Sequence, residues 1–125
     1  MAKEASRRLE LEPKGRERNA LEKAFEEAAK REARRARRES LELGLTLAAL
    51  TFRDLICIAE DAPEAVLAAD RAPALAEQAR SRDPRRLREA AERCEDVRQA
   101  LELNVMEDVA LSALSFRLGA LAGTR

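Results

Sequence analysis

Along residues 41–59, apolar residues recur at alternating intervals of four and three, which places them along one side of an α-helix. This stripe consists of Leu41, Leu45, Ala48, Phe52, Leu55 and Ala59. A second stripe on another side of the same segment consists of Leu43, Leu47, Leu50 and Ile58. A helix that is apolar on two sides must be covered on two sides, so this segment is predicted to be the central core helix.

A separate helix is predicted upstream, beginning near Arg18. It has a narrow, alanine-rich apolar face to which a neighbouring backbone could come close. That face consists of Leu21, Phe25, Ala28, Ala29, Ala33 and Ala36. Gly44 predicts close packing or a local break after Arg38, since glycine costs about 1 kcal/mol relative to alanine inside a helix.

Proline and capping signals divide the second half of the chain. Short helices are predicted over residues 62–69 and 72–80, each with a proline in its first turn. Asp83, followed by Pro84, predicts the start of a longer helix. Asn104 is predicted to end that helix and to cap the next one in a capping box with Glu107.

The last predicted helix is also apolar on two sides. One side carries Leu111, Leu114, Leu118 and Leu121, and the other carries Val109, Ala113, Phe116 and Ala120. Both sides of this helix are therefore predicted to be covered by other parts of the structure. Two such helices have more apolar surface than a small monomer can bury, which favours a face that contacts another subunit.

The fold class follows from these patterns and from a chain dominated by alanine, leucine, glutamate and arginine, which are strong helix formers. β-branched residues are too scarce for a sheet. The 125 residues are predicted to form one all-α domain, a compact bundle of about five helices over residues 18–121. Residues 1–17 are predicted to be a poorly ordered leader, and residues 122–125 a frayed C-terminus.

Charge and cysteine content narrow the function classes. The 24 basic and 24 acidic side chains balance, which argues against a protein that coats nucleic acid or a membrane surface. Two cysteines without any histidine argue against a disulfide framework or a zinc site and fit a reducing compartment. No apolar run approaches the length of a membrane span, so the chain is predicted to be cytoplasmic.

Catalytic motifs are not found. The four glycines form neither a phosphate-binding loop nor a dinucleotide fingerprint. Asp54 and Glu60 are the candidate carboxylates near the core helix, but Asp54 follows Arg53 and is interpreted as half of an ion pair on the helix surface or as a partner contact. Cys57 has no neighbouring base. We therefore predict a non-catalytic protein without cofactor, metal or small-molecule substrate.

A basic run has two interpretations. It consists of Lys30, Arg31, Arg34, Arg35, Arg37 and Arg38. Such a run could contact phosphates, in a small nucleic-acid-binding module. It could also be a solvated face, paired with Glu26, Glu27, Glu32 and Glu39, or a subunit interface. No aromatic residue is interleaved for base stacking, so a solvated face or an interface is favoured.

Three segments resemble the C-terminal domain of the δ′ subunit of the bacterial DNA polymerase III clamp loader. The first is the arginine-rich run that leads into a long apolar helix with Phe52-Arg53-Asp54-Leu55. The second is Ala100-Leu101-Glu102-Leu103-Asn104-Val105 before the last helix, and the third is the pair of short central helices in residues 61–79. The resemblance covers about residues 20–121, and the chain departs from it at Thr51, at Met106 and Glu107, and near Ser112, where the family usually carries a glutamate.

The resemblance implies a collar module that joins the δ and τ/γ subunits in a hetero-pentamer. That assembly loads the sliding clamp during DNA replication, and the collar meets DNA only indirectly. The subunit-interface residues that it implies are Arg31, Arg34, Arg35, Arg38, Phe52, Arg53, Asp54 and Asn104. The alternatives are the nucleic-acid-binding module and a stand-alone or homodimeric helical scaffold.

Overall fold

A computed structural model describes residues 2–123 of the chain, with side chains from residue 15 onward. All regular secondary structure in that range is helical. It consists of α1 (Ala2–Ala59), 3₁₀ turns at Pro63–Ala65 and Ala69–Arg71, α2 (Ala72–Ala79), α3 (Pro84–Leu101) and α4 (Glu107–Ala122). The predicted all-α class is confirmed, although this range contains four α-helices instead of about five.

Helix α1 is longer than predicted. It begins at Ala2 instead of near Arg18, and the two predicted helices meet without a break. Strong helix formers stand on both sides of the expected break, so no local signal ends the helix there. The side chains of residues 1–14, within the predicted leader, lie outside the described part, as do Thr124 and Arg125 of the predicted frayed terminus.

Gly44 marks neither a break nor a close contact. It lies inside α1 and is exposed, and a Cβ atom added there would meet nothing within 4 Å. Both expectations for this residue are therefore wrong. The glycine lowers the stability of the helix without serving the packing of the described residues.

Replacing Gly44 with alanine should raise the free energy of unfolding by about 0.5–1 kcal/mol, because alanine restricts the unfolded backbone and leaves the fold unstrained. Urea denaturation followed by circular dichroism measures the change. A loss of stability would contradict the open surroundings of this residue.

The chain divides into two units, Met1–Arg37 and Arg38–Arg125. In the first unit, every described side chain, from residue 15 to residue 37, is exposed. In the second unit, buried side chains form two apolar clusters. Only this second unit therefore has a core among the described residues.

The first cluster joins α1, α3 and α4 through Leu45, Ala49, Cys94, Leu101 and Leu114. The second joins the end of α1 to the segment before α2, to α2 and to the start of α3, through Leu55, Val66, Leu75, Ala79 and Leu87. Phe52 packs against both clusters. The predicted core stripe of α1 is confirmed.

The start of α3 is also confirmed. A side-chain oxygen of Asp83 accepts a hydrogen bond from the backbone N–H of Arg85 at 2.9 Å, and Pro84 occupies the first turn. The helix predicted over residues 72–80 is observed as α2. The helix predicted over residues 62–69 is wrong, since that segment contains only 3₁₀ turns.

Asn104 does not cap α4 as predicted. The N-cap residue is Met106, which makes no side-chain hydrogen bond to the helix. Asn104 instead adopts a left-handed backbone conformation with φ of 57°, which asparagine tolerates better than most residues. It turns the chain between α3 and α4, and its side chain bonds elsewhere.

Candidate assembly surface

Asp54 holds a loop in place and is not on the surface. The residue is only 3% exposed. Oδ1 accepts a hydrogen bond from the N–H of Leu67 at 2.8 Å, and Oδ2 accepts one from the N–H of Ala68 at 3.1 Å. A buried carboxylate satisfied in this way fixes the backbone of residues 67–68 against α1.

Arg53 supports the same loop from outside. Its Nη1 donates to the carbonyl oxygen of Ala65 at 3.2 Å and lies 3.7 Å from Oδ1 of Asp54. The ion pair predicted for these neighbours is present, but one partner is buried. Phe52 packs against both clusters, so Phe52, Arg53 and Asp54 all support the fold. Their contact with a partner subunit stays a prediction.

Two other predicted interface residues meet across the fold. Nη2 of Arg38 donates to Oδ1 of Asn104 at 3.0 Å, although the residues are 66 positions apart in sequence. The bond ties α1 to the turn between α3 and α4. It explains why the Asn104 side chain does not cap α4.

Arg31, Arg34 and Arg35 lie together on one face of α1, three and four residues apart, and all are exposed. The ion pairs found among the described side chains do not include any of the three. The predicted pairing of these arginines with neighbouring glutamates is therefore not formed. Their charge is available to a partner.

Helix α4 is covered on one side only. Leu114 is buried, and the half-buried Leu118 packs against the first cluster. The opposite side, formed by Val109, Ala113, Phe116 and Ala120, is exposed, and Phe116 is 84% exposed. Among the described residues, the prediction that this helix is covered twice is wrong. We call these four residues the outer α4 face.

Helix α1 presents a second exposed apolar strip in the second unit. Leu43, Leu47 and Leu50 are exposed at intervals of four and three residues, on the side opposite the first cluster. Leu67 is also exposed, and its bond to Asp54 places it beside α1 one turn beyond Leu50. Of the second stripe predicted for the core helix, Ile58 packs against the second cluster, whereas the described residues leave Leu43, Leu47 and Leu50 exposed.

A shallow groove of about 400 Å³ adjoins this strip. It is lined by Thr46, Ala49, Leu50 and Arg53 of α1 and by Ala91, Glu92, Glu95 and Asp96 of α3. Leu50 belongs to both groove and strip, so the two form one continuous surface. A smaller hollow of about 280 Å³ lies between the end of α1 and α2.

The cysteines are free thiols. Cys94 is buried, and burial raises the pKa of its thiol, to which the negative charge of Glu95 adds. Cys57 is half-buried. A thiol with a raised pKa stays protonated near neutral pH and is a poor nucleophile. Cys94 therefore serves as a small core residue.

Among the described residues, no group of three or more Cys, Asp or Glu side chains could hold a metal ion. No helix within them has both the length and the hydropathy of a membrane span.

Comparisons with known proteins gave no relative: no family model, curated protein or solved structure matches the chain. Its exposed surfaces and sequence motifs are therefore the basis for assigning function.

The outer α4 face was not among the predicted interface residues, although a sequence signal for it existed. Between Val109 and Ala122, Arg117 is the only charged residue.

Proposed function

We propose that this chain is a non-catalytic assembly module whose outer α4 face docks onto another protein. The observation that carries the proposal is a helix that is apolar on both sides and covered on one. Helices of that kind are normally buried on both sides. A partner that covers the second side would complete the packing that the described residues leave incomplete.

The outer α4 face has the composition of a docking site. Its centre is Phe116, and aromatic side chains dominate the energy of many interfaces. Burial of apolar surface contributes about 25 cal/mol per Å². Stable interfaces bury about 1,200–2,000 Å² in total.

The sequence resemblance supplies the identity of the partner. We propose that the assembly is a clamp loader, in which the chain acts as a δ′-like collar module beside δ and τ/γ subunits. The motifs that support this proposal are the Phe52-Arg53-Asp54-Leu55 element and the segment that ends in Asn104 and Val105. In this role the chain contributes contacts to the loading of the sliding clamp and performs no chemistry.

Mixing the chain with δ and τ/γ subunits should give a complex that elutes ahead of its components on a sizing column. Phe116→Glu should weaken that complex by about tenfold or more, because a charge would be buried in the interface. Gln99→Glu introduces the same charge at an exposed position of α3 and should leave the complex intact.

Circular dichroism must show the same helix content in both variants, since Phe116 is exposed. Failure of the chain to join any clamp-loader subunit, alone or in combination, would reject the clamp-loader assignment. A complex that forms equally well with Phe116→Glu would reject the outer α4 face as the docking site.

A further inference from the structure

The groove between α1 and α3 has a shape that accommodates one further helix. Its floor contains Ala49, Leu50 and Ala91, and the two alanines allow a third helix to come close. On the α1 side it continues into the exposed Leu43–Leu47–Leu50 strip, which spans about 10 Å along the helix. With Leu67 one turn beyond, a helix of about three turns would cover the whole apolar surface.

Other classes of ligand fit this surface poorly. The groove is shallow, whereas a small molecule is normally held in a cavity that buries most of its surface. Both walls are helices, whose backbone N–H and C=O groups bond within the helix, so an extended peptide finds no strand edge with which to pair. The occupant that suits the groove is therefore a helix with apolar side chains of its own.

The side chains along the groove are mainly acidic. On α3, Glu92, Glu95 and Asp96 line it directly. On α1, Glu39 and Glu42 continue the groove side of the helix, since they precede its first lining residue at intervals of three and four positions. These carboxylates repel the phosphates of nucleic acids and of anionic lipids, and they attract lysine and arginine side chains.

Three arginines near the groove offset this charge only in part. Arg53, which also lines the groove, bonds to a loop carbonyl. Arg98 pairs with Glu95 at 3.1 Å, and Arg93 pairs with Asp96 at 3.1 Å. The other three carboxylates take no part in the ion pairs found among the described side chains. Five carboxylates thus stand against three guanidinium groups, which leaves a net charge of −2.

We propose that this groove, together with the Leu43–Leu47–Leu50 strip, binds an amphipathic helix of a partner protein that has one apolar face and lysine or arginine along the edges of that face. The apolar face covers the strip, and a basic edge lies along Glu92, Glu95 and Asp96. None of the residues that line the groove belongs to α4, so the inference stands independently of the proposed function.

A designed peptide and the full chain test the proposal by fluorescence anisotropy. The probe is a fluorescein-labelled peptide of about 18 residues, with leucine on one helical face, lysine along the edges of that face and alanine elsewhere. Its dissociation constant should be below about 0.1 mM and should rise with ionic strength. A peptide that does not bind would overturn the proposal.

Two comparison peptides separate the apolar contact from the charge. One has the same composition with its leucines spread over all sides of the helix, and the other has glutamate in place of every lysine. Each should bind at least about tenfold more weakly than the probe. A comparison peptide that binds as tightly as the probe would contradict the proposed recognition.

Charge reversal in the groove should weaken binding of the probe. A variant with Glu92→Lys and Asp96→Lys, both at exposed positions, should raise the dissociation constant by about tenfold or more. A matched control with Glu22→Lys and Glu26→Lys makes the same change of charge at exposed positions of the first unit, and it should stay within about threefold of the unmodified chain. Equal losses in the two variants would show that the probe responds only to net charge and would overturn the proposal.

The apolar contact is tested with Leu47→Gln, since glutamine is polar and has a helix propensity close to that of leucine. Leu47 is 55% exposed, so circular dichroism should show an unchanged helix content, while the dissociation constant of the probe should rise by about tenfold. Leu103→Gln makes the same change at an exposed position outside the groove and should have an effect of less than about threefold. Similar effects of the two substitutions would rule out the strip as the contact.

Amide NMR of the isotope-labelled full chain locates the bound probe. The backbone N–H signals of Ala49, Leu50, Ala91 and Glu95 should shift as the probe is added, and Phe116→Glu should leave its affinity within about threefold. Loss of binding in Phe116→Glu would place the probe on the outer α4 face and overturn the proposal. The same shifts in the chain alone, as its own concentration rises, would make a second copy the occupant and would overturn it too.

Discussion

Replacing Leu101 with alanine should lower the free energy of unfolding by about 2–5 kcal/mol. Leu101 is 1% exposed and belongs to the first cluster with Leu45, Cys94 and Leu114. The shorter side chain would leave a cavity where α1, α3 and α4 meet. Urea denaturation followed by circular dichroism at 222 nm measures the loss.

Leu103 provides a matched control two residues further along the chain. It is 79% exposed, so Leu103→Ala should change the free energy of unfolding by less than about 0.5 kcal/mol. The chemical change is the same in both variants, and only the burial differs. Similar losses in the two variants would contradict the position of the core.

Asp54→Ala should lower the free energy of unfolding by about 2–6 kcal/mol. The substitution leaves the N–H groups of Leu67 and Ala68 without their acceptors in a partly buried site, and each such group costs about 1–3 kcal/mol. Thermal unfolding measures the loss. Amide hydrogen exchange at Leu67 and Ala68 should also accelerate.

Two further substitutions test whether stability depends on the hydrogen bonds of the Asp54 carboxylate or on its charge. Asp54→Asn keeps one acceptor oxygen and should lose less stability than Asp54→Ala. Asp70→Ala removes an exposed carboxylate from the Ala69–Arg71 turn and should change stability by less than about 0.5 kcal/mol. An Asp54→Ala variant as stable as Asp70→Ala would refute the role of Asp54 in holding the loop.

Features set by neighbouring residues were predictable from the sequence. The start of α3 depends on Asp83, Pro84 and the N–H of Arg85, all within three positions. The covered side of α1 was predictable from Leu41 to Leu55, because apolar residues that recur at intervals of three and four positions lie on one side of a helix. The effect of Gly44 was harder to judge, because a glycine that weakens the helix stands among strong helix formers. The break expected after Arg38 is absent.

The roles of Asp54 and Asn104 could not be predicted, since each depends on a residue far along the chain. Asp54 binds a backbone 13 and 14 positions away, and Asn104 accepts a bond from Arg38 across 66 positions. Sequence alone treats each of these side chains as a local cap, pair or surface group. Their actual partners become adjacent only when the helices pack.

By itself, the sequence determined that the regular secondary structure of the described range is all helical and which side of α1 faces the core. The first follows from intrinsic helix propensity. The second follows from the regular spacing of apolar residues, which involves only residues that are near neighbours in the sequence. Only the tertiary structure decided which apolar stripes are covered, because covering requires a second element at the right place. The chain covers the inner sides of α1 and α4, while the outer α4 face, the Leu43–Leu47–Leu50 strip and the Leu21–Phe25 stripe meet no described residue that buries them.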